Sequence, residues 1–260
     1  YDGNVHGDDH GLAMELDRFG NIYITSMSHE ERFNNYNYLT IKYSLLHHYE
    51  CNEGSLIIFS ASADKDFITI KYGSSGEKLW ERRYDGPGNY EDSASDIVVD
   101  PQENVYVTGY CYGRTSRQDY LTIKYDCFGN RLWLRRYDGP RLVRDYATAI
   151  ALDSNQNVYV TGRSYGVDTY FDYCTIKYDT NGNELWVARY NGPGDYYDNP
   201  VAICVDSSEN VYVTGESFGE YFSYDVTTIV YNSQGKQIWI AKYDGNVHGD
   251  DHGLAMELDR

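Results

Sequence analysis

Tyr84 to Arg136 reads YDGPGNYEDSASDIVVDPQENVYVTGYCYGRTSRQDYLTIKYDCFGNRLWLRR, and the same pattern restarts at Tyr137 and Tyr190, a spacing of 53 residues. The units are related rather than copied, for Tyr84–Arg136 and Tyr137–Arg189 agree at 28 of 53 positions. A period of this size marks a repeat architecture, in which each unit buries its apolar face only against its neighbours.

Within one unit four short segments have strand character: Ala94–Asp100, Asn104–Gly109, Asp119–Tyr125 and Leu132–Tyr137. Val105, Tyr106, Val107 and Thr108 are β-branched or aromatic, which suits a pleated, half-buried surface. The links are regular too. Asp126-Cys127-Phe128-Gly129-Asn130 and Asp179-Thr180-Asn181-Gly182-Asn183 give a DxxGN hairpin between third and fourth strands, glycine supplying positive φ and aspartate bonding the following backbone. Asp100–Asn104 and Asp153–Asn157 join first to second strand with Glu103 or Gln156 where the glycine would stand, a weaker turn signal. Four antiparallel strands that need stacked neighbours predict a β-propeller.

The VYVTG, TIKY and LW segments, with their DxxGN turns, resemble the SBBP family of bacterial β-propeller repeats and, more loosely, the NHL type. The resemblance runs over nearly the whole chain. It implies a surface or secreted repeat protein and brings no chemistry with it.

The expected fold is all-β, a propeller of about five four-stranded blades in one domain: 1–44, a truncated second blade at 45–83, then 84–136, 137–189 and 190–242. The pattern breaks at Ser44–Ser55 (SLLHHYECNEGS), where a turn, an LW strand and the next first strand should stand. Residues 243–260 repeat residues 1–18 at every position, so both encode the same inner strand and one copy is expected to be left over.

Forty acidic against 22 basic residues give a net charge of −18, which argues against nucleic acid and anionic membranes, since both demand a basic patch. No apolar run is long enough to span a bilayer. The five cysteines, at differing positions in their repeats, show no disulfide framework or metal spacing, and are expected to be small buried residues. Most of the 29 tyrosines recur at strand positions, where packing explains them. The expected location is extracellular or in the cell envelope.

Candidate sites fall on loops. Those from fourth to next first strand and from second to third strand should share one face, where binding residues on a rigid scaffold usually sit. There Tyr112, Tyr165 and Phe218 are ligand-binding candidates, alongside Asp92, Asp145 and Asp198, which recur before each first strand with Asp9 and Asp251. Such a carboxylate ring could hold a divalent cation through oxygen, although capping of each loop by its own aspartate is the preferred reading. Asp66, Asp119, Asp172 and Asp225 before the third strands, and Lys42, Lys71, Lys124 and Lys177 within them, are read as structural because they repeat. His6, Asp8 and His10, with Asp9, form a further metal candidate, copied at His248–His252; a plain loop is preferred there.

No P-loop, GxSxG or HExxH is present. The sequence therefore points to a non-catalytic binding or adhesion scaffold for protein or carbohydrate, without a cofactor. The alternatives are a metal-assisted lyase or hydrolase at a central channel lined by Asp9, Asp92, Asp145 and Asp198 with His6 or His10, and a structural spacer from a longer array.

Overall fold

The computed structural model describes strand residues 10–16, 22–30, 35–43 and 54–60, and then residues 66–73, 77–88, 90–219, 222–245 and 249–259. Each of the three regular units is a four-stranded antiparallel sheet. The first runs β7 (Ser93–Val99), β8 (Val105–Tyr112), β9 (Gln118–Tyr125) and β10 (Arg131–Tyr137); the second, β11 (Asp145–Leu152), β12 (Val158–Tyr165), β13 (Phe171–Tyr178) and β14 (Glu184–Tyr190). The third consists of β15 (Asp198–Val205), β16 (Val211–Phe218), β17 (Tyr224–Tyr231) and β18 (Gln237–Tyr243).

The strands before them are linked into a single sheet. β1 (His10–Leu16), β2 (Ile22–Glu30), β3 (Asn35–Tyr43), β4 (Gly54–Ser60), β5 (Phe67–Gly73) and β6 (Lys78–Tyr84) make one six-stranded sheet in that order, β3 and β4 meeting at Leu39–Phe59. Where the repeat pattern lapses between Ser44 and Ser55, the third strand of one unit borders the second-strand remnant of the next. The described strands thus form four sheets, with no helix.

The repeat pattern becomes structure through period-2 burial in the middle strands. Val105, Val107, Leu121 and Ile123 enter one core cluster, while Tyr106 and Tyr120 point the other way into the next, with Trp133, Val158 and Ile176. The sheets β7–β10 and β11–β14 are thus each covered on both faces by their neighbours. Threonine hydroxyls inside are paired across the middle strands. Thr108 and Thr122 face each other at 3.1 Å, Thr161 and Thr175 at 3.0 Å, and Thr214 and Thr228 at 2.8 Å. The Tyr106 hydroxyl donates to Asp100 at 3.0 Å and that of Tyr159 to Asp153 at 2.9 Å.

Blades are tied to each other by bonds at fixed sequence distance. The indole N–H groups of Trp80, Trp133 and Trp186 donate to the carbonyls of Cys127, Thr180 and Ser233 in the next hairpin. On the inner strands, Ile150 N–H donates to Asp96 at 2.8 Å and the Thr148 hydroxyl to the Pro200 carbonyl at 2.8 Å. The hairpin glycine must lie flat against that indole. A Cβ at Gly182 would stand 2.8 Å from the Trp133 ring, and φ is +79°.

The turns without glycine are as well formed as those with it. Glu103, Gln156 and Glu209 adopt φ of 60°, 64° and 61°, beside 79°, 79° and 77° at Gly129, Gly182 and Gly235. Glu103 and Glu209 then reach back to the preceding blade, pairing with Lys71 at 3.1 Å and Lys177 at 3.0 Å. Cys111 and Cys174 are buried free thiols and Cys204 a partly buried one, whereas Cys127, in a hairpin turn, is disulfide-bonded. That corrects, for Cys127, the expectation that every cysteine is a small buried residue outside any disulfide.

Beyond Tyr243, which ends β18, the described residues of the second copy of the terminal segment are not a strand. They lie along the last blade, where Asp251 N–H donates to the Tyr224 carbonyl at 2.6 Å and the Cys204 thiol lies 3.5 Å from the Met256 carbonyl.

Candidate functional site

Asp92, Asp145 and Asp198 are fully buried, and each accepts the N–H of the glycine six residues before it: Gly86, Gly139 at 2.8 Å and Gly192 at 2.6 Å. Asp251 treats Gly245 the same way at 2.6 Å. The other oxygen of Asp92 accepts Tyr112 N–H at 2.8 Å and that of Asp198 accepts Phe218 N–H at 3.2 Å, so the aspartate clasps both loops of the face together. Burial pushes all three carboxyls up to about 6, against hydrogen bonds that favour the charged form. Their oxygens face backbone N–H groups and, at Asp145 and Asp198, the hydroxyls of Ser164 and Ser217.

The aspartates before the third strands serve the same junctions. Asp119 pairs with Arg136, and Asp172 with Arg189 at 2.9 Å. Asp119, Asp138 and Asp145 bring one carboxylate oxygen each within 4.8 Å of one another, the set best placed for a hard cation among the described residues. Arg136 occupies one oxygen of Asp119 and Gly139 N–H one of Asp145, so much of the negative charge is already balanced within the protein. His6, Asp8 and Asp9 lie outside the described residues, and His10 is the first residue of β1. The copy at His252 stands against Glu216, which raises its proton affinity.

The aromatic candidates occupy equivalent places in three blades and are half-buried plugs. Tyr112 packs on Tyr90 at 5.0 Å, Tyr165 on Phe171 at 5.0 Å, and Phe218 on Tyr196 at 5.0 Å. What they support is more exposed than they are. Tyr90 is 67% exposed, Phe222 86%, Tyr170 44% and Tyr196 38%. Tyr90 and Tyr112, with Pro87, Gly88, Arg114 and Arg117, line an open depression of about 490 Å³. Across the next junction Tyr146, Phe171, Tyr197, Tyr196, Phe218 and Tyr224 form an unbroken tract, each ring 4.4 to 5.9 Å from the next, with Tyr170 4.9 Å from Tyr196.

Tyr90, Tyr170, Tyr196 and Phe222 escaped the sequence reading. Tyr90 and Tyr196 share a loop position that holds Val143 in the blade between, and Tyr170 stands where neighbouring blades have Arg117 and Ser223. Comparing units for the loop positions that differ would have found them.

Strand order, hairpin turns and blade-to-blade bonds define an all-β repeat protein of the propeller type. The chain carries an SBBP β-propeller repeat, whose family model matches residues 139–168. It is similar to an uncharacterized WD repeat-containing protein of Acanthamoeba polyphaga mimivirus, 26% identical over 58% of this chain and 14% of that protein. The chain therefore spans only a small part of that relative's length. Among solved structures, a eukaryotic initiation factor covers 90% of this chain and 55% of its own at 8% identity, with a TM-score of 0.41. A member of the DUF4221 family from Bacteroides vulgatus covers 92% and 86% at 10% identity, with a TM-score of 0.40.

Proposed function

We propose that this chain is a non-catalytic binding scaffold whose loop face takes a protein or carbohydrate ligand. The observation that carries the reading is the aromatic loop face: exposed rings held by half-buried ones, contributed by several loops and differing from blade to blade. Rings fixed in this way offer large contact area at little entropic cost. The repeated carboxylates support it from the other side, because they are engaged in holding the loops. The disulfide at Cys127 fits an extracellular or cell-envelope location, where such bonds persist.

The test is a panel of immobilised oligosaccharides and peptides probed with the wild type and with Tyr90→Ala and Tyr170→Ala. Binding that falls with the ring substitutions while the fold is intact supports the proposal. Turnover of a substrate that depends on Asp119 or Asp145, with no effect of the rings, overturns it.

A further inference from the structure

The tract that crosses the junction between the last two regular blades already carries one of the chain's own cations at one end and an imidazole near the other. At one end the Arg163 guanidinium sits 4.8 Å from the Tyr146 ring and 4.9 Å from Phe171. At the other, the His252 imidazole lies 6.3 Å from the Tyr224 ring with Nδ1 against Glu216. Between them Tyr170 and Tyr196 present exposed faces, and no cation of the described residues is stacked on either. A ring face attracts a cation within about 6 Å of its centroid, and adjoining carboxylates add to the pull.

Carboxylates border this open middle. Asp195, next to Tyr196, is exposed and bonds only within its own turn, to Asn191 at 2.6 Å. Asp168 is 92% exposed at its side chain and touches Arg141 at 3.5 Å. Glu216 and Asp250 lie at the Tyr224 end and raise the pKa of that phenol after burial has done so. With a net charge of −18, the surrounding field draws in positive partners.

We infer that the Tyr170–Tyr196 stretch is the docking site for arginine or lysine side chains of an extended cationic peptide segment of a partner protein. The inference rests on the loop-face reading above and specifies its occupant. A side chain laid over the outer faces of the two rings, which touch edge to face at 4.9 Å, would repeat what Arg163 does over Tyr146 and Phe171, with Asp195 or Asp168 as its counter-charge. Charge complementarity selects this occupant over a neutral glycan, which would leave the bordering carboxylates without a role.

The experiment titrates the full chain with a fluorescent peptide of alternating arginine and glycine, and with its isostere in which neutral citrulline replaces each arginine. The arginine peptide should bind at least about tenfold more tightly than the citrulline one. The double variant Tyr170→Ala, Tyr196→Ala should lose roughly tenfold in affinity, and the Tyr→Phe pair should keep it. Asp195→Asn should weaken binding more than Glu184→Gln, which removes an equal charge at the start of β14.

Arginine-peptide binding that persists in the alanine pair, or that citrulline matches, overturns the inference. So does absence of binding. If a neutral oligosaccharide or the citrulline peptide instead binds and needs the rings, this inference falls while the loop-face reading stands. If no probe responds to loss of the rings, both fall.

Discussion

The indole N–H of Trp133 donates to the carbonyl of Thr180 at 3.1 Å, so a side chain on the fourth strand of one blade caps the hairpin of the next. The neighbouring Arg135 adds its own bonds to Gly182 and Asn181 in the same hairpin. Trp133→Phe should therefore cost about 1 kcal/mol, the usual worth of one such bond. Trp133→Ala, which also empties the contact with Tyr106 and Tyr178, should cost about 3–5 kcal/mol. Urea unfolding of both variants checks the order.

Gln156 holds a left-handed backbone with little in return, its side chain making an exposed bond to Gln102 at 2.6 Å. Gln156→Gly should raise stability by about 0.5–1 kcal/mol, since glycine enters that region freely. Glu209→Gly should gain less or lose, because Glu209 also pairs with Lys177. Equal gains from the two substitutions would show that the lysine contact contributes nothing.

Lys124 is the third-strand lysine whose partner position holds glutamine rather than glutamate. Its ammonium lies 4.7 Å from the Tyr106 ring, and burial lowers its pKa. Gln156→Glu should pair with it as Glu103 does with Lys71. The expected gain is about 0.5–1 kcal/mol at neutral pH, with the pKa of Lys124 moving up. A double-mutant cycle with Lys124→Met measures the coupling directly.

The buried carboxyls of Asp92, Asp145 and Asp198, at about 6 against an ordinary value of 3.8, bind protons more readily folded than unfolded. Their favourable contribution is complete below the unfolded value and is lost as pH rises through 6. Asp126, Asp179 and Asp206, held below the usual range by turn hydrogen bonds that outweigh burial, act oppositely and weaken the fold only as pH falls below 3.8. The urea midpoint should thus be higher at pH 5 than at pH 7. Asp145→Asn should flatten that difference, and an unchanged slope would remove the aspartate caps as its source.

Whatever the repeat writes locally was legible from sequence. The strand expected at Asp119–Tyr125 is Gln118–Tyr125 in the structure, and that at Leu132–Tyr137 is Arg131–Tyr137. Hairpin chemistry at Asp126 and Asp179 was equally plain, because aspartate and glycine state a turn within five residues. The six-stranded first sheet was not, since pattern matching has no purchase where Ser44–Ser55 replaces the motif and pairing falls to Leu39 and Phe59. Nor was the left-handed conformation of Glu103, which its neighbours' geometry imposes against its own preference. The aromatic loop face proposed as the site could be read only in part. Tyr112, Tyr165 and Phe218 were found through their period, whereas the exposed faces of Tyr170 and Tyr196 depend on how two loops from adjoining blades lie together.

The indole bonds of Trp80, Trp133 and Trp186 all point the same way along the chain, each to a hairpin 47 residues further on. On the ribosome, that direction matters. A blade can pair its four strands as soon as they emerge, but its indole waits for the following hairpin before it is covered. The nascent molecule therefore always carries one unfinished surface at its growing end, and that surface is handed forward, blade by blade, as synthesis proceeds.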